Sequence, residues 1–532
     1  MLPCMITRQM RKQWGVIAAV IFTAALAIAC GFLLFDTFYR GPLQHALMNV
    51  EGIIALSFLG LAYARGAQAE LTRSAARLDA VAIALIVTAV AAAFIPNLQT
   101  PFLYDDFTHI TDASGSTWRT AAAQFGQSAG RGLFFRPLGF LFYWLYYLWA
   151  GADPTWWHAG NIGLHAVCAA LTYLLCREIG LSLQASIGGA LLFGLAGVSA
   201  EAVAWVDAGF VMLATAFVLL SLIFVCRYAA TGRLAWLVGA FAAGGCGMLC
   251  KETAFSLPFL VASLALFKDR SSWNRIGRVA IVSGVLTAVL FAYRWWALRG
   301  IGGYEVAGGQ PNVLHFNLVR SIDALLLRQW AVLFFPFNWT VPSGPMLRAA
   351  LAVTPFLLAI FAWIASPPRR QMIGCFVFIV AAALPVQHLL LISPDLGGSR
   401  TLYLGCVGLA LLWGLVLETM PRIPRIAAAV VLLVIQCSIL EHDLRAWRET
   451  SELAHSVCIA FGQKIAGTSG PVVVRGLPSI RNGAVFLRNG FPQCVELNTG
   501  VPGWRIQVSD SGVPQPGARE FHWNGALGRV LP

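Results

Sequence analysis

Residues 206–226 read VDAGFVMLATAFVLLSLIFVC, and Asp207 is the only charge in the run. At about 1.5 Å of rise per residue, a helix of that length measures roughly 30 Å, the depth of a bilayer's hydrocarbon. Comparable runs recur and predict membrane helices near 14–35, 45–63, 79–96, 157–176, 184–200, 206–226, 234–249, 252–267, 279–297, 347–366, 371–391, 401–418 and 425–440. Lipid leaves every backbone polar group to be satisfied within its own segment, which favours helices. A barrel would alternate apolar and polar residues, and these runs do not. The expected fold class is an all-α polytopic membrane bundle of about 13 transmembrane helices, followed by a small C-terminal soluble α/β domain.

Composition agrees. Hydrophobic residues make up 58% of the 532 and charged residues 11%, against about 25% charged in a soluble domain. The formal net charge of +13 does not point to nucleic acid, because the basic residues sit in short loops rather than in blocks interleaved with aromatics. Alternate connections carry Arg65, Arg73 and Arg77; Arg177; Arg227 and Arg233; Lys268, Arg270, Arg275 and Arg278; Arg369 and Arg370; Arg422 and Arg425. All fall on one face, which the positive-inside bias makes cytoplasmic. Charge played no part in placing the helices, so the agreement is an independent check. The first run follows Arg8, Arg11 and Lys12 and is longer than the ~7–15-residue core of a signal peptide. It reads as a retained helix. The expected location is a bacterial inner membrane, with the N-terminus cytoplasmic and the C-terminal domain periplasmic.

Two stretches do not read as simple crossings. Residues 134–150, FFRPLGFLFYWLYYLWA, are crowded with Trp and Tyr, which favour the interface. Residues 314–341 are interrupted by Arg320, Asp323 and Arg328. Both are expected to lie on or dip into the outer surface. Three parts result: 1–78, a hairpin and cytoplasmic loop; 79–440, a core with an outer loop at 97–156; and 441–532. The last part opens with an amphipathic helix near 441–465 and continues into the β-like runs PVVVRGLP and GAVFLRNGF. Most cysteines, among them Cys30, Cys168, Cys226, Cys246, Cys375 and Cys437, fall in apolar runs as small hydrophobes. Without a CxxC pair, a zinc or redox site has little support. Cys458 and Cys494, in the polar tail, are candidates for a disulfide in an oxidising compartment.

Chemistry-bearing residues collect at one boundary. Tyr104-Asp105-Asp106 opens the first outer loop, and such a carboxylate can act as a base toward a hydroxyl. Arg136 precedes Pro137 at the start of a helix and suits a phosphate or a lipid headgroup. His158, Asn161 and His165 share a helix face, facing either a cavity or neighbouring helices. Glu201 lies in EAVAW, Lys251 and Glu252 in KET, and Arg400 and Tyr403 in SRTLY. Lys251 and Glu252 either form a local ion pair of little energetic consequence or supply a cation for a leaving phosphate. His388 reads as a headgroup anchor.

Taken in order, YDD, FRPL, H-x-x-N-x-x-x-H, EAVAW, KET and SRTLY resemble the GT-C superfamily of membrane glycosyltransferases. The likeness is greatest to the O-mannosyltransferases with tetratricopeptide repeats and their bacterial relatives, over roughly residues 79–440. That resemblance implies an inverting transfer from a polyprenyl-phosphate sugar to a hydroxyl of an envelope glycan, lipid or protein. Asp105 or Asp106 would be the catalytic base. Arg400, Lys251 and Arg136 would hold the donor phosphate, with Tyr104, His158, Asn161, His165, Glu201, Glu252 and Tyr403 around the substrate. A sugar phosphoester already has a good leaving group, so no cofactor is required on chemical grounds. Oligosaccharyltransferase relatives do use a divalent metal, and the paired aspartates keep one possible. The chain departs from the repeat-bearing members: it has an extra N-terminal hairpin, lacks the repeats, and follows EAVAW with VDAGFVML. Alternatives are a ligase or polymerase of lipid-linked glycan, or a transporter or flippase, although no inverted repeat of the transporter kind is seen.

Overall fold

The computed structural model describes residues 15, 17–26, 28, 42–66, 78–126, 133–306, 310–311, 317–510 and 517–531. Arg8, Arg11, Lys12, Cys30, Arg73, Arg77 and much of the 14–35 run lie outside the described residues.

The chain is a helical bundle. In order, its helices are α1 (Ile17–Leu26), α2 (Pro42–Arg65), α3 (Asp79–Phe94), α4 (Asp105–Ser114), α5 (Trp118–Ala123), α6 (Pro137–Ala150), α7 (Pro154–Glu178), α8 (Leu183–Gly194), α9 (Ser199–Ala204) and α10 (Gly209–Thr231). They continue with α11 (Leu234–Cys250), α12 (Leu257–Leu264), α13 (Arg270–Leu298), α14 (Leu318–Asp323), α15 (Gln329–Phe334), α16 (Pro345–Ile364), α17 (Arg369–Ala383), α18 (Tyr403–Glu418), α19 (Arg422–Ala466) and α20 (Phe491–Thr499). Among the described residues, nine helical spans are long and apolar enough to cross a membrane and four shorter apolar helices accompany them. Together they match the thirteen expected runs one for one.

Apolar character on every side puts a helix either in the bundle's centre or against lipid, and both occur. The span that includes α18 is 89% buried, whereas α13 is only 17% buried. Small residues allow the central helices to touch, as in membrane packing generally. A Cβ on Gly189 of α8 would fall 2.7 Å from the carbonyl oxygen of Ala410 on α18, so a larger residue there would drive the two helices apart.

The basic connections meet at one end of the bundle, as the charge pattern expects. Arg369 Nε donates to the Tyr63 carbonyl (3.0 Å), Arg370 Nε to the Leu266 carbonyl (2.9 Å) and Arg227 Nε to Glu178 Oε1 (3.0 Å).

Several expectations need correction. The helix expected at 184–200 stops at Gly194 and restarts as the short α9, which brings EAVAW into a turn. Residues 318–334 form α14, a π-helical turn over Ala324–Arg328 and α15, and α6 has 14 residues. Neither is among the spans long enough to cross, in keeping with the expectation that these two stretches are not simple crossings. The crossing at 425–440 and the amphipathic helix after it are one 45-residue helix, α19, which rises out of the bundle.

Beyond α19 the strands β3 (Val472–Arg475), β6 (Ile506–Val508), β7 (Arg519–Asn524) and β8 (Arg529–Leu531) form one sheet, numbered after a small hairpin, β1 (Glu305–Val306) with β2 (Gln310–Pro311). Its order is β6-β3-β7-β8, parallel across the first three strands and antiparallel between β7 and β8. PVVVRGLP supplies β3. GAVFLRNGF does not become a full strand: only Ala484–Val485 (β5) pair, with Ile480–Arg481 (β4), and the remainder is the loop entering α20. Cys458 of α19 and Cys494 of α20 form a disulfide.

Candidate active site

The YDD turn sits at the bundle end opposite the basic loops, and α4 begins inside it. Asp105 and Asp106 occupy the first turn of α4, where the helix dipole favours negative charge. Successive helical residues point about 100° apart, so the two acids have different surroundings. Asp106 is 2% exposed. Its Oδ2 accepts from the Leu103 amide (3.0 Å) and its Oδ1 from the Asp207 amide (2.8 Å). Asp106 therefore staples the YDD turn to the turn that follows EAVAW. Asp105 instead opens into a polar cavity of about 830 Å³. Four further residues of α4 line that cavity: Thr108, His109, Asp112 and Ala113. Burial, and to a smaller degree Asp207, raise the Asp105 carboxyl against the opposing pull of His109, Asn489 and Arg400, and the balance leaves it at about 6. Just before it, Tyr104 takes φ 51°, a conformation side-chain-bearing residues rarely adopt and one that collects at functional turns.

His109 pairs with Asp207 across the cavity wall. Burial alone would lower the imidazole, but the Asp207 carboxylate lifts it to about 9, so it is a cation at neutral pH.

A second cavity, of about 250 Å³, adjoins the first and is lined mainly by apolar groups, among them Phe255, Phe291, Val386 and Leu389. The two cavities share Phe134, Arg136, Lys251, Tyr304 and Arg400. A cationic wall thus separates an acid-bearing chamber from an apolar one. Its three cations are held differently. Arg400 pairs with Glu201 and lies 4.7 Å over the Trp205 ring. Arg136 grips Glu252 through Nε and Nη2 at 2.9–3.2 Å, and Arg294 reaches the same carboxylate at 3.1 Å. Lys251, in the turn between α11 and α12, has no ion pair or side-chain hydrogen bond among the described residues. Burial, joined by the Arg136 guanidinium, pulls its ammonium down to about 7.

Other expected substrate residues lie beneath the cavities. Glu201 is buried and accepts from the Gly398 amide (3.2 Å), Ser399 Oγ (3.2 Å) and the Arg400 amide (2.8 Å), which fixes the SRTLY turn. Asn161 Nδ2 donates to the Trp205 carbonyl at 3.1 Å. His165 Nδ1 lies 2.6 Å from Tyr403 Oη and its Nε2 is 2.9 Å from the Gly194 carbonyl. His158 is 1% exposed. None of the five lines either cavity. Glu201 and Asn161 thereby hold in place the turns that carry Arg400 and Asp207, because polar atoms buried in a bundle bond to their nearest backbone. Tyr104 packs edge-on against Trp205, with ring centroids 6.2 Å apart. His388 lines the apolar cavity. His109, Asp207, Arg294 and Tyr304 were not among the expected site residues. Of these, His109 carried a usable signal, because it follows Asp105 at i+4 on the same helix face.

Among the described residues no group of three or more His, Cys, Asp or Glu side chains is placed to hold a metal ion.

No family model matches the chain. It is similar to the Homo sapiens protein O-mannosyl-transferase TMTC4, with 26% identity over 395 residues that cover 61% of this chain and 53% of that one. The chain therefore spans about half the length of the curated relative it matches. The likeness read from six short motifs is met again in this similarity. A structural comparison finds ArnT from Cupriavidus metallidurans in the apo state, at 16% identity and a TM-score of 0.37 over 81% of this chain and 86% of that one. At that score the likeness carries no residue correspondence.

Proposed function

We propose that the protein is a GT-C-type membrane glycosyltransferase that moves a sugar from a polyprenyl-phosphate donor to a hydroxyl acceptor, with inversion. The carrying observation is the wall formed by Arg136, Lys251 and Arg400 between an apolar and an acid-bearing cavity. The isoprenoid lies along the apolar cavity and its phosphate meets the cations. The sugar reaches into the polar cavity, whose volume falls in the usual range of about 300–1,000 Å³ for ligand sites. An acceptor hydroxyl gives its proton to Asp105, its oxygen bonds to the anomeric carbon, and the bond from that carbon to the phosphate oxygen breaks. The electron pair leaves with polyprenyl phosphate, whose added negative charge falls on Lys251 and Arg400. A base with a pKa near 6 is ionised at neutral pH yet still accepts a proton in the transition state. This chemistry requires no cofactor.

In this reading the site faces the extracytoplasmic, periplasmic side of a bacterial inner membrane. Two observations support that side: the basic loops gather at the other end of the bundle, and the region over the site carries the Cys458–Cys494 disulfide, a bond that persists in oxidising compartments. Envelope glycan, lipid and protein acceptors all offer the hydroxyl this chemistry needs.

The test is incubation of purified protein with polyprenyl-phosphate hexose. Transfer releases free polyprenyl phosphate, and Asp105→Asn abolishes the release without loss of purified protein. Movement of intact donor across vesicles without release would mark a flippase instead.

A further inference from the structure

One wall of the polar cavity comes from outside the membrane bundle. The loop leading into α20 places Arg488 and Asn489 on the cavity, and the first turn of α20 adds Pro492 and Gln493. There Asn489 Nδ2 donates to Asp105 Oδ1 at 3.1 Å. Several contacts keep the loop in this position. Gly490 adopts φ +75°, and a Cβ on it would fall 2.1 Å from the Tyr104 carbonyl oxygen, so glycine alone lets the loop reach the turn that carries the acids. Behind the loop, the disulfide ties α20 to α19, and Phe461 packs on Phe491 with ring centroids 5.3 Å apart. Further along, Asn338 Nδ2 donates to the Asn482 carbonyl at 2.7 Å. Asp105 Oδ2 has no hydrogen bond among the described residues.

We propose that Asn489 is a positioning residue for Asp105, so that the C-terminal region completes the reacting site rather than only covering it. This rests on the reading of Asp105 as the base. An amide N–H on Oδ1 fixes the carboxylate's orientation and leaves Oδ2 to receive the acceptor's proton. The same hydrogen bond favours the ionised form. The other charged groups near Asp105 are Asp106, His109 and Asp112 of its own helix, Asp207 after α9, Arg400 before α18 and Arg488 beside Asn489. None of them donates a hydrogen bond to it among the described residues.

Two measurements on the full chain test this. The first needs no turnover: carbodiimide coupling of an amine to protonated Asp105 is followed by mass spectrometry across pH in wild type, Asn489→Ala and Asn489→Asp. The labelling midpoint is expected to rise by about 0.5–1 pH in Asn489→Ala and further in Asn489→Asp, where a second carboxylate faces the first. The second is transfer from polyprenyl-phosphate hexose. In Asn489→Ala, kcat is expected to fall about tenfold, with KM for the donor unchanged and the acid limb of kcat/KM displaced upward. Unmoved labelling midpoints in both variants, with the Cys458–Cys494 bridge intact on a non-reducing gel, overturn the proposal. So does an unchanged kcat in an active protein. A shifted midpoint in a protein that never releases polyprenyl phosphate supports the positioning role and counts instead against the glycosyltransferase reading.

Discussion

The YDD turn and the KET turn each place two charged residues side by side, and each divides them between two tasks. In YDD, Asp106 is absorbed by two backbone amides while Asp105 faces the cavity. In KET, Glu252 is absorbed by Arg136 and Arg294, and Lys251 keeps no partner among the described residues. The second division is the more instructive, because adjacent opposite charges would be expected to pair with each other. Recruiting two distant arginines to Glu252 instead leaves an ammonium on the wall between the cavities. A charge on a cavity wall without a protein partner is open to a ligand that completes the pairing.

Substitutions can break this symmetry, and the largest effect belongs to the cavity-facing acid. Asp105→Asn is expected to lower kcat by roughly 10²–10⁴-fold, measured as polyprenyl phosphate released, with the melting temperature unchanged. Next comes Lys251→Met, expected to cost about 10²-fold in kcat, whereas a Lys251 that serves only packing would leave kcat untouched. The pH profile sharpens the same contrast. Below about pH 6, Asp105 takes up the proton it must be free to accept, so kcat/KM falls about tenfold per unit. Above about pH 7, Lys251 loses its charge and kcat/KM falls again. A profile flat from pH 5 to 9 would contradict both assignments. The smallest effect on turnover is expected from Asp106→Asn. That side chain keeps one acceptor for two amides and leaves the other amide unsatisfied, at a cost of about 1–3 kcal/mol. It should lower thermal stability while the folded fraction retains most of its kcat.

How much of this the sequence carried depends on the range of the interaction. The thirteen helices were legible because span length and apolar content are local properties, and the loop charges followed from them. The acid pair and the cations were legible as a set at one boundary. The division within each pair was not. Asp106 is claimed by an amide 101 residues away, and Glu252 by Arg136, 116 residues away. His158, Asn161, His165 and Glu201 carried the right signal, polar residues on apolar helices, but that signal does not distinguish a cavity wall from a bond to a neighbouring turn. The 184–200 run gave no sign of its break beyond Gly194 and Gly197. Asn489 was out of reach altogether, because nothing local links a loop 384 residues downstream to the first outer turn.

The most direct test is a density map of the protein with bound polyprenyl-phosphate hexose. The isoprenoid is expected along Phe255, Phe291 and Leu389, with the phosphate against Lys251 and Arg400 and the sugar turned toward Asp105. A lipid whose phosphate rests among the basic loops at the other end of the bundle, with both cavities empty, would contradict the account.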